Sequence, residues 1–384
     1  MLGEALLLSN NNRQSTIENQ PMSAQKLRIG LIGAGGNTRL RHIPGLRALP
    51  DVEIVAVCNR RASSTQEVAR EYDIPRTFEK WQDLVQDPEI DAVVIGTWPY
   101  LHCPITLLAL ESEKHVMTEA RMSMNAREAH QILAASRKHH GLVCQIVPSP
   151  FGLKGHRVMK ELIDGGFLGE LRDVRAYDHH DALNDDQAPL SWRQSASLSG
   201  FNMLTLGILH ETLLRWAPPP VRVMAQVHAH IPKRIDPESG ARTEVGTPDS
   251  VQVLTILENG ARGIYQFSGV TSFGQGRGIC LMGTDGILHY DMTNEQIHGV
   301  TRSEGQNSAG LQAMREIPIP EEKAMHWRVE EEFVQAIREG APIEMTDFVT
   351  GVAYMEFTEA VARSAEEGSA VDLPLFIHES GSKR

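Results

Sequence analysis

The chain is short of cysteine, of positive charge and of long apolar runs. Its four cysteines, Cys58, Cys103, Cys144 and Cys280, are scattered through 384 residues without a Cys-x-x-Cys pair. That spacing excludes a disulfide frame and a thiolate zinc site, and predicts reduced thiols in a cytoplasmic protein. Lysine and arginine number 37 against 49 acidic residues, a formal net charge of −12. Such a balance gives no electrostatic grip on nucleic acid or an anionic membrane. No stretch approaches the ~18 apolar residues that a spanning helix needs. The apolar stretch Ala5–Leu8 has no basic segment before it, so no secretory leader is expected, and residues 1–26 read as a disordered extension. There are no internal repeats. With 41% hydrophobic and 22% charged residues, the remainder suits a soluble protein of two domains.

What is present is regular alternation. Apolar strand patterns at Arg28–Ile32, Asp51–Cys58, Ile90–Gly96, His115–Thr118 and Leu142–Val147 are separated by helical patterns at Ser64–Tyr72, Ile105–Glu111 and Ala126–Lys138. This spacing predicts an α/β domain over residues 27–150, a parallel sheet covered on both faces. After about Pro150 the character changes. Helical stretches at His156–Ile163 and Phe201–Trp216 accompany strand signals at Leu171–Tyr177, Val221–Ile231, Ser250–Leu257, Ala261–Ser268, Gly278–Met282 and Gly286–Tyr290. Glu258-Asn259-Gly260 and Thr284-Asp285-Gly286 supply hairpin turns. Two closing helices are expected near Glu321–Arg338 and Asp347–Glu367. Residues 151–384 therefore read as an α+β domain with an open, mostly antiparallel sheet.

The first strand runs into Gly33-Ala34-Gly35-Gly36-Asn37. In a dinucleotide fingerprint the first glycine makes the tight turn, the second lets the backbone approach the pyrophosphate, and the following helix N-terminus offers free N–H groups to it. The third glycine of the fingerprint falls on Thr38. A Gly-x-Gly alone is weak; its place between a strand and a helix predicts a Rossmann domain binding NAD or NADP. The second strand ends in Cys58-Asn59-Arg60-Arg61, with no acid for the ribose hydroxyls of NAD. Arg60 suits the 2′-phosphate of NADP and Asn59 a free ribose, so cofactor choice stays open.

Further motifs follow in a fixed order: Gly96-Thr97-Trp98-Pro99-Tyr100-Leu101-His102, then Trp192-Arg193, Ser199-Gly200 and His210, then Pro248-Asp249-Ser250 and Gly283-Thr284-Asp285-Gly286, then Thr346-Asp347. From Leu27 to about Pro374 this order resembles the glucose–fructose oxidoreductase and inositol dehydrogenase family (Gfo/Idh/MocA). The resemblance implies an NAD(P)-dependent enzyme acting on a sugar, polyol or related hydroxyl compound, with substrate between the Rossmann domain and the open sheet. It also implies that the sheet serves a homo-oligomer. It assigns Gly33, Gly35, Gly36, Asn37, Asn59, Arg60 and Glu119 to the cofactor, with Thr97, Trp98 and His102 in the loop beneath the nicotinamide.

The chain departs from that family in two places. The usual Glu-Lys-Pro reads Glu119-Ala120-Arg121. An arginine stays protonated and cannot act as a general base, but suits a bidentate contact to an oxygen-rich or anionic substrate group. The family's Asp, one turn before its His, falls on Leu206 when Ser199-Gly200 anchors the comparison, which places the catalytic His on His210; anchoring on Trp216 moves it to Leu209. His210 is the expected base for a hydroxyl proton. His180, Trp192, Arg193 and Asn202 join Arg121 as expected substrate contacts, aromatic and charged groups together suiting a sugar ring. His179-His180 and His228-x-His230 lack the carboxylate or cysteine spacing that would complete a metal site. Two other readings compete with the dehydrogenase: a glycoside hydrolase or lyase that oxidises its sugar transiently with no net NADH, and a non-catalytic dinucleotide-binding regulator.

Overall fold

In a computed structural model, residues 26–305 and 313–376 are described. The expected extension over residues 1–26 lies, but for its last residue, outside them. The first domain builds a six-stranded sheet from β1 (Leu27–Ile32), β2 (Val52–Cys58), β3 (Arg76–Thr77), β4 (Ala92–Ile95), β5 (His115–Thr118) and β6 (Cys144–Ile146), in the order β3-β2-β1-β4-β5-β6. Every pairing is parallel. Strands such as Ala92-Val93-Val94-Ile95 are buried throughout, as a sheet covered on both faces demands. The cover comes from α1 (Ile43–Arg47), α2 (Ala62–Glu71), α3 (Trp81–Val85), α4 (His102–Glu111) and α5 (Ala126–Lys138). Asn125 caps α5 by accepting the Glu128 N–H at 2.9 Å. The strand order reverses between β1 and β4, the place where open α/β sheets bind ligands. The short β3 carried no sequence signal of its own.

The second domain is a nine-stranded sheet, β16-β15-β14-β13-β7-β12-β11-β8-β17. Its strands are β7 (Leu171–His179), β8 (Pro220–His228), β11 (Ser250–Leu257), β12 (Arg262–Ser268), β13 (Gly276–Gly283), β14 (Gly286–Asp291), β15 (Gln296–Thr301), β16 (Arg315–Ile317) and β17 (Val371–Asp372), while β9 (Lys233–Ile235) and β10 (Arg242–Glu244) form a separate hairpin. Only the β7–β12 pairing is parallel. The helices α6 (His156–Asp164), α7 (Ala196–Ser199), α8 (Leu206–Leu214), α9 (Val329–Glu339) and α10 (Phe348–Glu367) complete the chain. One core joins β7, β8 and β11–β15 to α6, α8 and α10 through residues such as Leu206, Val253, Tyr265 and Phe357. Among the described residues no helix is long and apolar enough to cross a membrane.

Three expectations need correction. The helix expected from Phe201 begins at Leu206, because Gly200 and Leu204 both take positive φ and Asn202 spends its amide on the turn. The helix expected from Glu321 begins at Val329, after a short 3-10 turn. Most consequentially, α9 leaves the second domain: Val329, Phe333 and Val334 share the core of Ile29, Leu31 and Ile43. The helix α10 is then a shared wall. Phe348, Val352 and Met355 pack with Met122, Ala129 and Ile132 of the first domain, and the Tyr354 hydroxyl accepts the Met122 N–H at 2.5 Å. A single boundary at residue 150 does not describe this interleaving.

Candidate active site

The glycine loop is shaped by the strand beside it. Gly33 has φ +86°, and a Cβ there would lie 2.6 Å from the Thr97 backbone nitrogen. Only glycine satisfies both constraints. A Cβ on Gly35 would meet nothing nearer than Gly96 O at 3.9 Å, so that side faces open space. Thr38, in the third fingerprint position, donates to Gly33 O at 3.2 Å. Its hydroxyl occupies the space beside Gly96, so the close approach is supplied from the opposite strand.

Gly33, Gly35, Asn59, Arg60, Thr97 and Trp98 line one cavity of about 550 Å³. Arg39, Lys80 and Trp81 line it as well, and no motif had pointed to them; Tyr100, from the motif after β4, lines it too. Asn59 is not free for a ribose. Its Oδ1 takes the Ala34 N–H at 2.7 Å and its Nδ2 donates to Ser64 O at 3.1 Å, tying the glycine loop to α2. Gly36 is exposed and lines neither cavity of the site. His102 is fully buried beneath the loop, its ring nitrogens 2.8 Å from Arg121 O and 3.0 Å from Thr97 O. It joins the segments after β4 and β5 rather than facing a ligand, and burial holds its pKa below the usual histidine value.

A second cavity of about 470 Å³ lies between the domains. Asn37, Glu119, Arg121, His180, Arg193 and Asn202 line it together, residues drawn from both halves of the sequence. Trp192 sits between the two cavities: its ring stacks on Trp98 at 5.9 Å, Arg60 lies 5.1 Å over Trp98, and Arg193 lies 4.3 Å over Trp192. Contacts of this kind contribute about 0.5–2 kcal/mol each. They form a ladder from the first cavity to the second.

Behind Glu119 stands a buried charge network that the sequence did not announce. The Glu119 Oε1 receives Asn37 Nδ2 at 2.5 Å and lies 2.9 Å from His42 Nε2. His42 Nδ1 lies 2.5 Å from Glu330 Oε1 on α9, and Trp327 Nε1 donates to Glu330 Oε2 at 2.9 Å. Burial disfavours the His42 imidazolium, but the two carboxylates outweigh it and raise its pKa to about 9. Burial likewise opposes ionisation of Glu119, yet the hydrogen bond from His42 holds its pKa below the carboxylate norm.

His210 does not reach the cavity. The ring is 1% exposed, stacks on Phe357 at 3.7 Å and meets the Tyr265 hydroxyl at 3.0 Å. Burial drives its pKa to about 3. The residues of this segment that do line the cavity are Leu204, Thr205 and Ile208. Leu209, the alternative register, is fully buried in the core. Neither register therefore presents a histidine to the cavity. Thr205, one turn before Leu209, donates instead to Asp178 Oδ2 at 2.5 Å.

Comparison with known proteins matches this architecture. A model of an oxidoreductase family with an NAD-binding Rossmann fold, Gfo/Idh/MocA, covers residues 27–146, and that family's C-terminal domain covers residues 156–289. Trans-1,2-dihydrobenzene-1,2-diol dehydrogenase of Bos taurus is 27% identical over 242 residues, 62% of this chain and 65% of that relative, just under two thirds of its length. Levoglucosan dehydrogenase of Pseudarthrobacter phenanthrenivorans is 22% identical over 91% of this chain and 99% of its own. Among solved structures, levoglucosan dehydrogenase in complex with NADH superposes with a TM-score of 0.80 at 21% identity, over 92% of this chain and 100% of that one. An oxidoreductase domain protein from Kribbella flavida reaches 0.79 at 24%, over 91% and 100%. With both domains matched in order and the Rossmann site built as described, the chain belongs to the Gfo/Idh/MocA family of NAD-binding oxidoreductases.

Proposed function

We propose that the chain is a nicotinamide-dependent dehydrogenase of a small polyhydroxylated compound, with NAD(P) in the glycine-loop cavity and substrate in the cavity between the domains. The carrying observation is the adjacency of the two cavities. The glycine loop lines the first and the segment after β5 the second, and Trp98 of the first stacks on Trp192, over which lies Arg193 of the second. The glycine-loop cavity suits a dinucleotide: Gly33 makes the tight turn against Thr97, Gly35 leaves the backbone open, and the buried Thr97 Oγ1 has no partner. When bound, the nicotinamide supplies the hydride acceptor. Levoglucosan dehydrogenase and the dihydrodiol dehydrogenase name oxidation of ring hydroxyls, and that chemistry is the class proposed here.

The chain must take up the hydroxyl proton. Arg121, its pKa lowered to about 10 by burial and by Arg193, stays protonated at neutral pH. Glu119 is held ionised by His42 and is a weak base. His180 is the remaining candidate lining the cavity. Its Nδ1 accepts the Ala182 N–H at a long 3.2 Å, which marks Nδ1 as the atom bearing the lone pair. A substrate hydroxyl displacing that amide delivers its proton there. Asn202, with Nδ2 donating to Ser123 O and Ser199 O, keeps a buried, unpartnered Oδ1 at the same wall to orient a hydroxyl.

The test is absorbance of reduced nicotinamide with NAD⁺ or NADP⁺ over a panel of sugars, polyols and sugar acids. Turnover is expected with at least one, and His180→Asn is expected to lower kcat by roughly 10²–10⁴. Absence of turnover across the panel by protein shown to bind cofactor overturns the proposal. The open sheet serves a second copy of the chain: Met224, Leu254 and Ile264, 50%, 57% and 47% exposed, sit side by side on its outer face.

A further inference from the structure

The inter-domain cavity is built for a negative charge. Arg121, Arg193 and Arg41 line it, and among the described residues none of the three makes a salt bridge or hydrogen bond to a carboxylate, the Glu119 charge reaching Arg193 only at longer range. Arg41 lies 4.5 Å over the Trp327 ring and Arg193 over Trp192, so both keep their hydrogen-bond donors free. Arg121 is the decisive group. It is 6% exposed, Nη2 donates to the Leu204 carbonyl, and Nε is buried without any acceptor. A buried cation without a counter-charge is costly, and the nearby charge of Arg193 adds to that cost. The one carboxylate lining the cavity, Glu119, shares the His42 cation with Glu330, and its single charge stands against three arginines. The site therefore holds uncompensated positive charge inside a protein whose net charge is −12, a local field that concentrates anions.

Beside these donors stands an acceptor, the unpartnered Asn202 Oδ1. Cation and acceptor together read a hydroxyl next to an acid. The Arg121 guanidinium, with Nε unpartnered, offers planar donors to an anionic oxygen group, a carboxylate or a phosphate alike, and the phosphate arm of the experiment separates the two. We propose that the substrate is a polyhydroxylated carboxylic acid, of the aldonate or uronate class, whose carboxylate is held by Arg121 with Arg193 while Asn202 receives a hydroxyl. The inference rests on the dehydrogenase reading of this cavity, but concerns recognition and is tested without turnover.

The experiment is calorimetric titration of the NADH-saturated protein. Probes are D-gluconate, D-galactonate, D-glucuronate and D-galacturonate, each set against its primary amide and its neutral sugar or polyol, with D-glucose 6-phosphate as the phosphate arm. At least one carboxylate is expected to bind ten-fold or more tightly than its amide. Arg121→Met is expected to remove that preference and Arg193→Met to reduce it, with the amide's affinity unchanged. Arg193 is exposed, so its variant is informative even where Arg121→Met fails to fold. Amides or neutral sugars binding as well as the acids, a stronger response to the phosphate, or a carboxylate preference that survives both variants each overturn the inference. Turnover of a neutral sugar in the absorbance assay then leaves the dehydrogenase reading standing alone.

Discussion

Glu238, in the turn between β9 and β10 of the second domain, places Oε1 2.5 Å from Nη2 of Arg60 and 3.1 Å from Nη2 of Arg61. Both arginines follow the strand whose end selects the cofactor, and β2 itself lacks the acid usual for NAD. A carboxylate from the other domain thus occupies the charge that a 2′-phosphate would use. All three side chains are about half or more exposed, so the pairs add little stability and are readily exchanged. Glu238→Gln is expected to shift the NADP⁺ to NAD⁺ ratio of kcat/KM upward by up to about five-fold, the effect of an exposed charge pair contributing at most about 1 kcal/mol. The double change Arg60→Ala, Arg61→Ala shifts it downward. Initial rates with the two cofactors check this; a ratio unmoved by either variant removes Glu238 from cofactor choice.

The His42 network predicts a pH dependence of stability. The folded pKa of about 9 lies above the free value of 6.5. Its stabilisation is therefore complete below the unfolded pKa and is lost as pH rises through 9, at up to about 1.4 kcal/mol per pH unit. Glu119, held low, contributes the opposite limb, lost in acid. Urea unfolding of the wild type is expected to weaken between pH 7 and 9, and His42→Gln to flatten that slope while lowering stability at pH 7. Parallel slopes in the two proteins contradict the assignment.

The two loop glycines separate folding from binding. Gly33→Ala forces a Cβ to 2.6 Å from the Thr97 nitrogen at a φ of +86°, and is expected to cost about 1–3 kcal/mol as well as cofactor affinity. Gly35→Ala meets no protein atom nearer than 3.9 Å. It is expected to leave the melting temperature unchanged and still weaken NADH binding, because the added methyl enters the ligand's side. Fluorescence titration and thermal melts of both variants decide.

His210→Phe is expected to retain wild-type kcat/KM. Its ring already stacks on Phe357, and its Nε2 is buried without a partner. Loss of the Tyr265 contact costs about 1 kcal/mol, offset in part by removal of that unpartnered nitrogen. A collapse of activity with an unchanged melting temperature would restore His210 to the chemistry.

On the outer sheet face, Leu254→Lys is expected to dissociate the homo-oligomer proposed for that face. It places a charge in the middle of the row formed with Met224 and Ile264. Light scattering of wild type and variant reads the mass directly; a monomeric wild type or an identical mass removes this face as an interface.

Local sequence was sufficient wherever one short segment determines its own environment. The buried run Ala92–Ile95 and the Gly33-x-Gly35 turn carry their burial and backbone geometry in their residue types. The parallel domain, the antiparallel domain and the nucleotide loop followed from such segments. Tertiary structure decided the rest, because cavities are made by residues far apart in the chain. His210 and Arg121 are both polar and both buried, yet one points into a core and the other lines a cavity. That difference depends on the turn at Gly200–Thr205, which sets where α8 begins. His42 acquires its charge from Glu330, 288 residues away, and Arg60 its partner from Glu238, 178 residues away. Periodicity reports which face of an element is apolar; it carries no information on which distant side chain completes a charge.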